Sequence, residues 1–314
     1  MRTWLLALLA GGLIGSVGCR KPLMTGVSVD PAFRDAIPKN TKALLSIQIE
    51  KLKATGLYQR HQDEFDLPQL DALSERVGID PRRDLTAVLL VWDGAKALVL
   101  ARGGFASADI NRRLGTLGVE RFSYKKYMLF GGGRDAVAFV DKSLAMAAPA
   151  DFLRSTLDLR DSGAGGVPEE LQRRLAGVAK NDQIWEVSHG GLPFANIHLP
   201  SDLQSALANI AGYIDDTTVG IGVDSGAHLQ VEIDCISKEG AQRVHDALRG
   251  LIGLGRLTTD TSSLDLLRMW DAISVRQNEQ VIHVRADLAA DLTDKLLVYL
   301  PSLRSRAGQI LSRQ

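Results

Sequence analysis

The sequence of 314 residues predicts an α+β fold made of two similar halves, each combining antiparallel β-hairpins with helices that cover one face of the sheet. Hydrophobic residues make up 45% of the chain, enough to bury one large core or two smaller ones. Strand-like segments come in pairs joined by turn residues such as Asp93-Gly94, a pattern typical of hairpins. Apolar stripes at helical spacing lie between these pairs, and hairpins joined by helices form antiparallel sheets with helices on one side.

The first predicted α+β repeat covers residues 42–160 and begins with a strand over residues 43–52. There Leu45 and Ile47 alternate with polar side chains, the period-two pattern of a half-buried strand. The elements that follow are a helix striped by Leu70, Leu73 and Val77, a hairpin of residues 85–92 and 95–102, a helix striped by Ile110, Leu114 and Leu117, a strand-like stretch 119–130, a hairpin over 135–148, and a closing helix with Phe152, Leu153 and Leu157.

The second predicted repeat, residues 184–314, has the same order of elements, so the pattern indicates an internal duplication. Its elements are a strand over 184–189, a helix with Leu203, Leu207, Ile210 and Ile214, a hairpin of 217–223 and 228–236, a helix with Val244, Leu248 and Leu251, a helix-like stretch 264–270, a hairpin of 272–277 and 281–286, and a closing helix with Leu292, Leu296 and Leu300. A linker and short helix over residues 161–183 join the two repeats. In the last hairpin one strand face is polar, and we expect that face to meet water, the other repeat or a partner.

The N-terminus has the pattern of an export signal. Arg2 provides a positive charge, and Trp4 to Val17 is an uncharged apolar run that ends in small residues. At roughly 1.5 Å per residue a helix of this run is about 21 Å long, short of the roughly 30 Å hydrocarbon core of a bilayer. Residues 1–18 are therefore predicted to be a signal peptide rather than a permanent span.

The sequence Ser16-Val17-Gly18-Cys19 resembles the lipobox of bacterial lipoproteins, although Ser16 stands where that family usually has Leu. The resemblance implies that Cys19 is lipidated and that residues 19–41 form a lipidated tether to a membrane. Because Arg20 follows the cysteine, it also implies a location in the bacterial envelope, at the outer membrane facing the periplasm. An ordinary cleaved signal peptide with an incidental cysteine is the alternative. The other cysteine, Cys235, continues the inward alternation of a strand and is interpreted as core packing.

Residues 36–41, together with the apolar strand that follows them, resemble the start of many uncharacterised exported bacterial proteins, and that group implies no function. Lys plus Arg and Asp plus Glu each number 37, and this balance excludes the basic footprint of a nucleic-acid-binding protein.

No group of residues in the sequence has the spacing of a known reactive site. The stretch 123–126 has the Ser-x-x-Lys pattern of serine β-lactamases, but it lies in a strand-like segment and lacks the partner motifs of those enzymes. The six histidines, at 61, 189, 198, 228, 245 and 283, show no metal-ligand spacing. The acidic group at 63, 64 and 66 lacks the pattern of a calcium loop, and the glycine clusters at 131–133 and 220–222 do not open a helix after a strand. We therefore predict no catalytic, cofactor-binding or metal-binding residue, and Cys19, as a lipidation site, is the one predicted site residue.

Three functions stay open at this point. The leading hypothesis is a lipid-anchored, non-enzymatic envelope protein that uses its exposed sheet face to bind a protein partner or a surface polymer. The first alternative is a periplasmic carrier of an apolar or lipid ligand, which an apolar interior cavity would favour. The second alternative is an enzyme whose site is assembled from residues distant in sequence.

Overall fold

The computed structural model describes residues 26–62, 75, 79–105, 108–132, 134–191 and 208–297. The strands are β1 (Ala43–Ile47), β2 (Leu85–Trp92), β3 (Ala97–Gly103), β4 (Arg121–Tyr124), β5 (Tyr127–Gly131), β6 (Asp135–Phe139), β7 (Leu144–Pro149), β8 (Ile184–His189), β9 (Ile214–Val223), β10 (Ala227–Cys235), β11 (Ile273–Asn278) and β12 (Val281–Leu288). The helices are α1 (Pro31–Arg34), α2 (Ile49–Lys53), α3 (Gly56–Arg60), α4 (Pro81–Asp84), α5 (Ala108–Thr116), α6 (Ala150–Ser162), α7 (Glu169–Leu175), α8 (Lys238–Thr258) and α9 (Leu264–Asp271). Residues 208–211 and 290–297 are also helical.

All twelve strands form one antiparallel sheet in the order β11-β12-β10-β9-β8-β1-β2-β3-β7-β6-β5-β4. The predicted α+β class with antiparallel hairpins is confirmed. Strands β1 and β8 pair at the centre, with Ala43 opposite Ser188 and Ile47 opposite Ile184. Outward from this pair, the order β2-β3-β7-β6 on one side corresponds to β9-β10-β12-β11 on the other. Descent of the two halves from one duplicated unit stays a prediction, which superposition of residues 43–160 on 184–297 would test.

The two faces of the sheet are named here after adjacent residues of β8: the Trp185 face and the Glu186 face. In the N-terminal half, the Trp185 face is the main core, where α1, α6 and α7 cover the strands. Phe33 of α1 and Leu153 of α6 are buried in this core together with Leu98 and Leu100 of β3. These side chains remove a large apolar area from water, which is the dominant stabilising contribution in a domain of this size.

In the C-terminal half the Glu186 face is the apolar one. Val244 of α8 packs there against Ile233 of β10 and Ile282 of β12. The Trp185 face of these strands is polar, because Glu232, His283 and Arg276 lie opposite one another across β10, β12 and β11. The prediction of helices on one face and a polar opposite face is therefore confirmed for this half. In the N-terminal half, helices lie on both faces, because α5 packs on the Glu186 face while α6 packs on the other.

Two predicted boundaries are wrong. Residues 26–41, placed in the tether, belong to the folded domain, since Val29, Phe33 and Ile37 are buried in the main core. The first strand ends at Ile47, and the chain then enters α2, whose acidic first turn and basic last turn suit the helix dipole. The alternation of the sequence alone could not distinguish this short helix from a longer strand.

The first residues of the predicted linker, 161–166, are part of the folded domain. Residues 161 and 162 belong to α6, and Gly163 ends that helix in the left-handed conformation with φ +64°. Gly166 donates a backbone hydrogen bond of 2.9 Å to the carbonyl of Ile37. A Cβ atom at Gly165 would lie 2.0 Å from the carbonyl oxygen of Asp35, so this segment packs closely against the domain.

Several predicted elements fall partly or wholly outside the described residues. The stripe of Leu70, Leu73 and Val77 lies outside them, as do Leu203, Leu207 and Leu300. Ile214, predicted to be helical, is instead the first residue of β9. Within the described part of the chain, no helix is long and apolar enough to cross a bilayer.

Candidate functional site

The main candidate site is an apolar cavity on the Glu186 face of the N-terminal half, and its floor consists of small side chains. Along β7, the large residues Leu144 and Met146 point into the main core, while Ala145 and Ala147 point to the opposite face. Strand β3 follows the same rule, with Val99 directly opposite Ala147. This alternation of large and small residues leaves a shallow floor on one side of a tightly packed sheet.

The walls of the cavity come from the loop before α5, from α5 itself and from two neighbouring strands. Phe105, Phe130 and Phe139 lie at one end, with ring centroids 5.7 Å apart for Phe105–Phe139 and 6.0 Å for Phe130–Phe139. Leu114 of α5 packs against the same cluster. Aromatic rings at these distances gain favourable edge and tilted contacts in addition to their buried area. They close one end of the cavity with rigid apolar surface.

The cavity has a volume of about 800 Å³, within the range of sites for small molecules. Its opposite end is polar, because Lys96 and Asp135 line it beside Ala97 and Pro149. Lys96 pairs with the Asp151 carboxylate, and the Lys96 and Asp151 side chains are 42% and 69% exposed. The cavity is therefore apolar over most of its length and charged at one solvent-accessible end.

A second polar feature lies at the centre of the sheet. Glu186 of β8 is buried, and the Thr217 hydroxyl donates a hydrogen bond of 3.0 Å to its Oε2. The hydroxyls of Thr217 and Ser188 lie 2.6 Å apart, which extends this chain of polar groups along the Glu186 face. Burial raises the pKa of Glu186 to about 7, although the hydroxyls of Thr217 and Ser188 act in the opposite direction. The described residues provide no ion-pair partner for this carboxyl.

A third feature is an ion network on the Trp185 face beside α7. Arg174 of α7 bonds to the carboxylates of Asp216 and Asp234 and lies 3.7 Å from Glu232. Burial opposes the charge of Arg174, but Asp234 and Asp216 raise its pKa above the usual value. The guanidinium thus ties α7 to β9 and β10, and we interpret its role as structural.

Each histidine within the described residues has a carboxylate partner. The pairs are His61–Asp294 at 2.9 Å, His189–Asp216 at 2.6 Å, His228–Asp182 at 2.8 Å, His245–Asp246 at 3.0 Å and His283–Glu232 at 3.7 Å. His198 lies outside the described residues. A hydrogen bond or ion pair to a neighbouring carboxylate therefore accounts for the position of each of these five histidines.

Among the described residues, His189, Asp215 and Asp216 have ligand atoms close enough to hold a metal ion, all within 4.8 Å of one another. Sequence spacing did not suggest this cluster, and Asp215 and Asp216 belong to β9. Both oxygens of Asp216 are already bonded, one to His189 and one to Arg174. These bonds account for the positions of the His189 and Asp216 side chains, and Asp215 is exposed.

The other predicted motifs are scattered through the structure. Ser123 lies on the edge strand β4, while Lys125 pairs with Asp158 at 2.6 Å and Lys126 pairs with Asp161 at 3.0 Å. These lysines bond away from Ser123, so no nucleophile–base pair forms. Cys235 is buried as expected, and burial raises the pKa of its thiol. Cys19 and the acidic group at 63, 64 and 66 lie outside the described residues.

The glycines at 220 and 222 have a packing role. A Cβ atom at Gly222 would lie 1.9 Å from the His228 ring, and one at Gly220 would lie 2.1 Å from an Asp182 oxygen. Glycine here allows the His228–Asp182 pair to lie flat on the sheet, and both glycines lie within the regular pairing of β9 with β10. Sequence reasoning missed three features: the cavity, buried Glu186 and Arg174. The sequence signal that could have indicated the cavity is the run of alternate alanines on the Glu186 face of β3 and β7.

No protein-family model matches this chain, and no curated protein matches it at a significant level. Solved structures of TP0453 are similar. Crystal form I has a TM-score of 0.48 and 8% identity, and the match covers 86% of this chain and 97% of that one. Crystal form III has a TM-score of 0.49 and 8% identity, with 87% and 99% covered. At 8% identity the similarity is one of backbone fold, and it assigns no function to the residues of this chain.

Proposed function

We propose that this protein binds an apolar or lipid-like ligand in the cavity over β3, β6 and β7, without catalysing a reaction. The observation that supports this proposal is the cavity of about 800 Å³ with an almost wholly apolar lining. Water in such a space makes few hydrogen bonds, so replacing it with hydrocarbon is favourable, at roughly 25 cal/mol for each Å² of apolar surface buried. A site of this composition favours a hydrocarbon chain over a polar metabolite.

The two ends of the cavity suggest how an amphiphile would lie in it. The apolar tail would contact Phe105, Phe130 and Phe139, and the polar head would lie beside Lys96 and Asp135 at the open end. The Lys96 ammonium, which pairs with Asp151, and the Asp135 carboxylate keep this end of the cavity in contact with water, which suits a polar head group. This orientation leaves no charged group of the ligand buried.

The proposed place of action is the bacterial envelope. The export signal and the lipobox-like Cys19 support attachment to a membrane through a lipid anchor, and an outer-membrane location facing the periplasm is part of this proposal. An anchored domain with an apolar cavity can receive a lipid from the bilayer that holds it.

A second candidate function, binding of a protein partner or surface polymer, is favoured by a separate observation. The Trp185 face of the C-terminal half is polar, and grooves of about 240 Å³ and 360 Å³ lie between its side chains. This was the leading interpretation of the sequence. The apolar cavity favours ligand binding as the primary function, because its shape and lining specify a class of ligand.

This proposal can be tested with a variant in which a larger side chain fills the cavity. Ala147→Trp places an indole ring on the cavity floor, opposite Val99 and Val137. We expect the full-length chain to bind a dansyl-labelled fatty acid saturably, and the variant to bind it at least tenfold more weakly, a change of about 1.4 kcal/mol. Ala290→Trp, at an exposed position in the helical segment 290–297, is the matched control. Organic extracts of the purified protein analysed by mass spectrometry would identify a ligand that copurifies.

Fluorescence titration and thermal unfolding separate loss of binding from loss of folding. Ligand that binds only the folded state raises the unfolding temperature of the wild type and of the control. If Ala147→Trp does not fold, Val99→Phe gives a smaller filling of the same floor. Equal binding by the wild type and a folded, filled variant would exclude the cavity as the site.

A further inference from the structure

The strand pair β11–β12 has an unusual distribution of charge on the Trp185 face. Register places Arg276 opposite His283 and Ser274 opposite Arg285. The two arginines are therefore diagonal neighbours, at a spacing of roughly 7–8 Å that long side chains can bridge. Both arginines and Ser274 are exposed. These four residues, with Asp287 at one end, line a groove of about 360 Å³.

The two guanidinium groups are not neutralised by the chain around them. Within the described residues, neither Arg276 nor Arg285 has an ion-pair partner, whereas the neighbouring His283 lies 3.7 Å from Glu232. Like charges on adjacent strands are destabilising. The sheet therefore maintains two adjacent positive charges that a bound anion would neutralise.

The position of the one carboxylate in the groove defines where an anion would sit. Asp287 lies two residues beyond Arg285 along β12, on the side away from Arg276. An anion is thus repelled from the Asp287 end and attracted to the space between the two arginines. Ser274 is opposite Arg285 in that space, and its hydroxyl is 3.4 Å from the Arg285 carbonyl oxygen.

We propose that Arg276 and Arg285 form a binding site for a phosphate group. The planar guanidinium presents parallel N–H donors that match the oxygens of phosphate, and two such groups can hold one tetrahedral anion from two sides. Both arginines and Ser274 are exposed, so the groove can accept a phosphate displayed on a larger molecule. The phosphate of a lipid head group and free inorganic phosphate share this chemistry. The site is separate from the apolar cavity, since it lies on the other face of the sheet and in the other half of the chain.

The experiment titrates the purified full-length chain with inorganic phosphate by calorimetry, against sodium chloride at the same ionic strength. A second arm compares binding to vesicles of phosphatidylcholine alone and vesicles that also contain phosphatidylglycerol. We expect Arg276→Gln/Arg285→Gln to lose at least tenfold in phosphate affinity, or to lose the preference for phosphatidylglycerol vesicles. Arg121→Gln, on the edge strand β4 at the opposite end of the sheet, is the matched control and should bind like the wild type.

Each outcome has a defined meaning. Arginine-dependent binding in the phosphate arm alone identifies a free phosphate ligand, and binding in the vesicle arm alone identifies a lipid head group. Because the double variant removes like-charge repulsion, we expect its unfolding temperature to equal or exceed that of the wild type, so loss of binding would not reflect loss of folding. The inference is overturned if the wild type binds in neither arm. It is also overturned if the double variant binds as tightly as the wild type, or if Arg121→Gln loses as much binding as the double variant.

Discussion

Glu186 provides the sharpest test of the physical reasoning, because it is a carboxyl buried at the centre of the sheet without an ion-pair partner among the described residues. Only 8% of the residue is exposed, and its recorded polar contacts are with hydroxyl groups. A carboxylate in such a place loses its hydration without gaining a counter-ion. Glu186→Gln keeps the shape and keeps an oxygen that can accept the Thr217 hydrogen bond, but it removes the charge.

The effect of Glu186 on the free energy of unfolding follows from the difference between its pKa values in the folded and unfolded chain. Burial raises the pKa of Glu186 to about 7 in the folded chain, against about 4.3 for an unfolded Glu. Below pH 4 the carboxyl is protonated in both states and has no effect on stability. As the pH rises through the interval between the two pKa values, the unfolded chain releases the proton and the folded chain keeps it, so stability falls. Above the folded pKa the full loss is reached, about 3 to 4 kcal/mol at roughly 1.4 kcal/mol per pKa unit.

The assay is urea unfolding of the wild type and of Glu186→Gln at pH 5 and pH 8.5. We expect the stability advantage of the variant to grow by about 2 to 3 kcal/mol between these two values, because only the wild type ionises a buried group in that interval. Glu169→Gln, exposed in the first turn of α7, is the control and should show no such growth. Parallel pH profiles for the wild type and Glu186→Gln would refute the argument that burial raises this pKa.

The remaining predictions test the anchor and two packing contacts. Cys19→Ser should abolish incorporation of labelled fatty acid in a bacterial host, and equal labelling of variant and wild type would contradict the lipoprotein interpretation. Gly165→Ala should lower the free energy of unfolding by about 1 to 3 kcal/mol, because the new methyl group collides with the Asp35 carbonyl, whereas Gly104→Ala, with open space around it, should have little effect in denaturant titrations. Arg174→Met should lower that free energy by about 1 to 3 kcal/mol, because it leaves the Asp234 carboxylate without its ion-pair partner and leaves Asp216 bonded to His189 alone. A variant as stable as the wild type would exclude a structural role.

Most of the hairpins could be predicted from the sequence, since they depend on local signals. The turn at Asp93-Gly94 is an example: Gly94 has φ +106°, and the Asp93 carboxylate accepts hydrogen bonds from the amides of Ala95 and Lys96. Helix α8 is another, because Ser237 caps its start and Val244 faces the core, as the periodic stripe indicates. Each of these features is determined within a few residues of chain.

The candidate sites depended on information that is not local. Glu186 and Ser188 lie on the face of β8 opposite to Trp185 and Val187, as the alternation of side chains along a strand requires. In the folded chain β8 is a central strand, and four consecutive residues from Trp185 to Ser188 are buried. The burial of both faces follows from which strands pair with β8, and sequence alternation carries no information on that pairing. Arg174 was missed for a similar reason, since its partners Asp216 and Asp234 lie 42 and 60 residues away.

The two halves have a corresponding order of strands but different surfaces, because the side chains at equivalent strand positions differ in size. On the Glu186 face, β3 and β7 carry Ala101 and Ala145 in the N-terminal half, whereas β10 and β12 carry Ile233 and Ile282 in the C-terminal half. The large aliphatic side chains fill the space beneath α8, and the alanines leave a cavity beside α5. Backbone topology therefore supplies the sheet in both halves, while the volume of a few side chains decides which half can accept a ligand. Ala147 lines the same cavity as these two alanines, and a larger residue there should fill the cavity without altering the strand order, so a folded Ala147→Trp variant tests ligand binding.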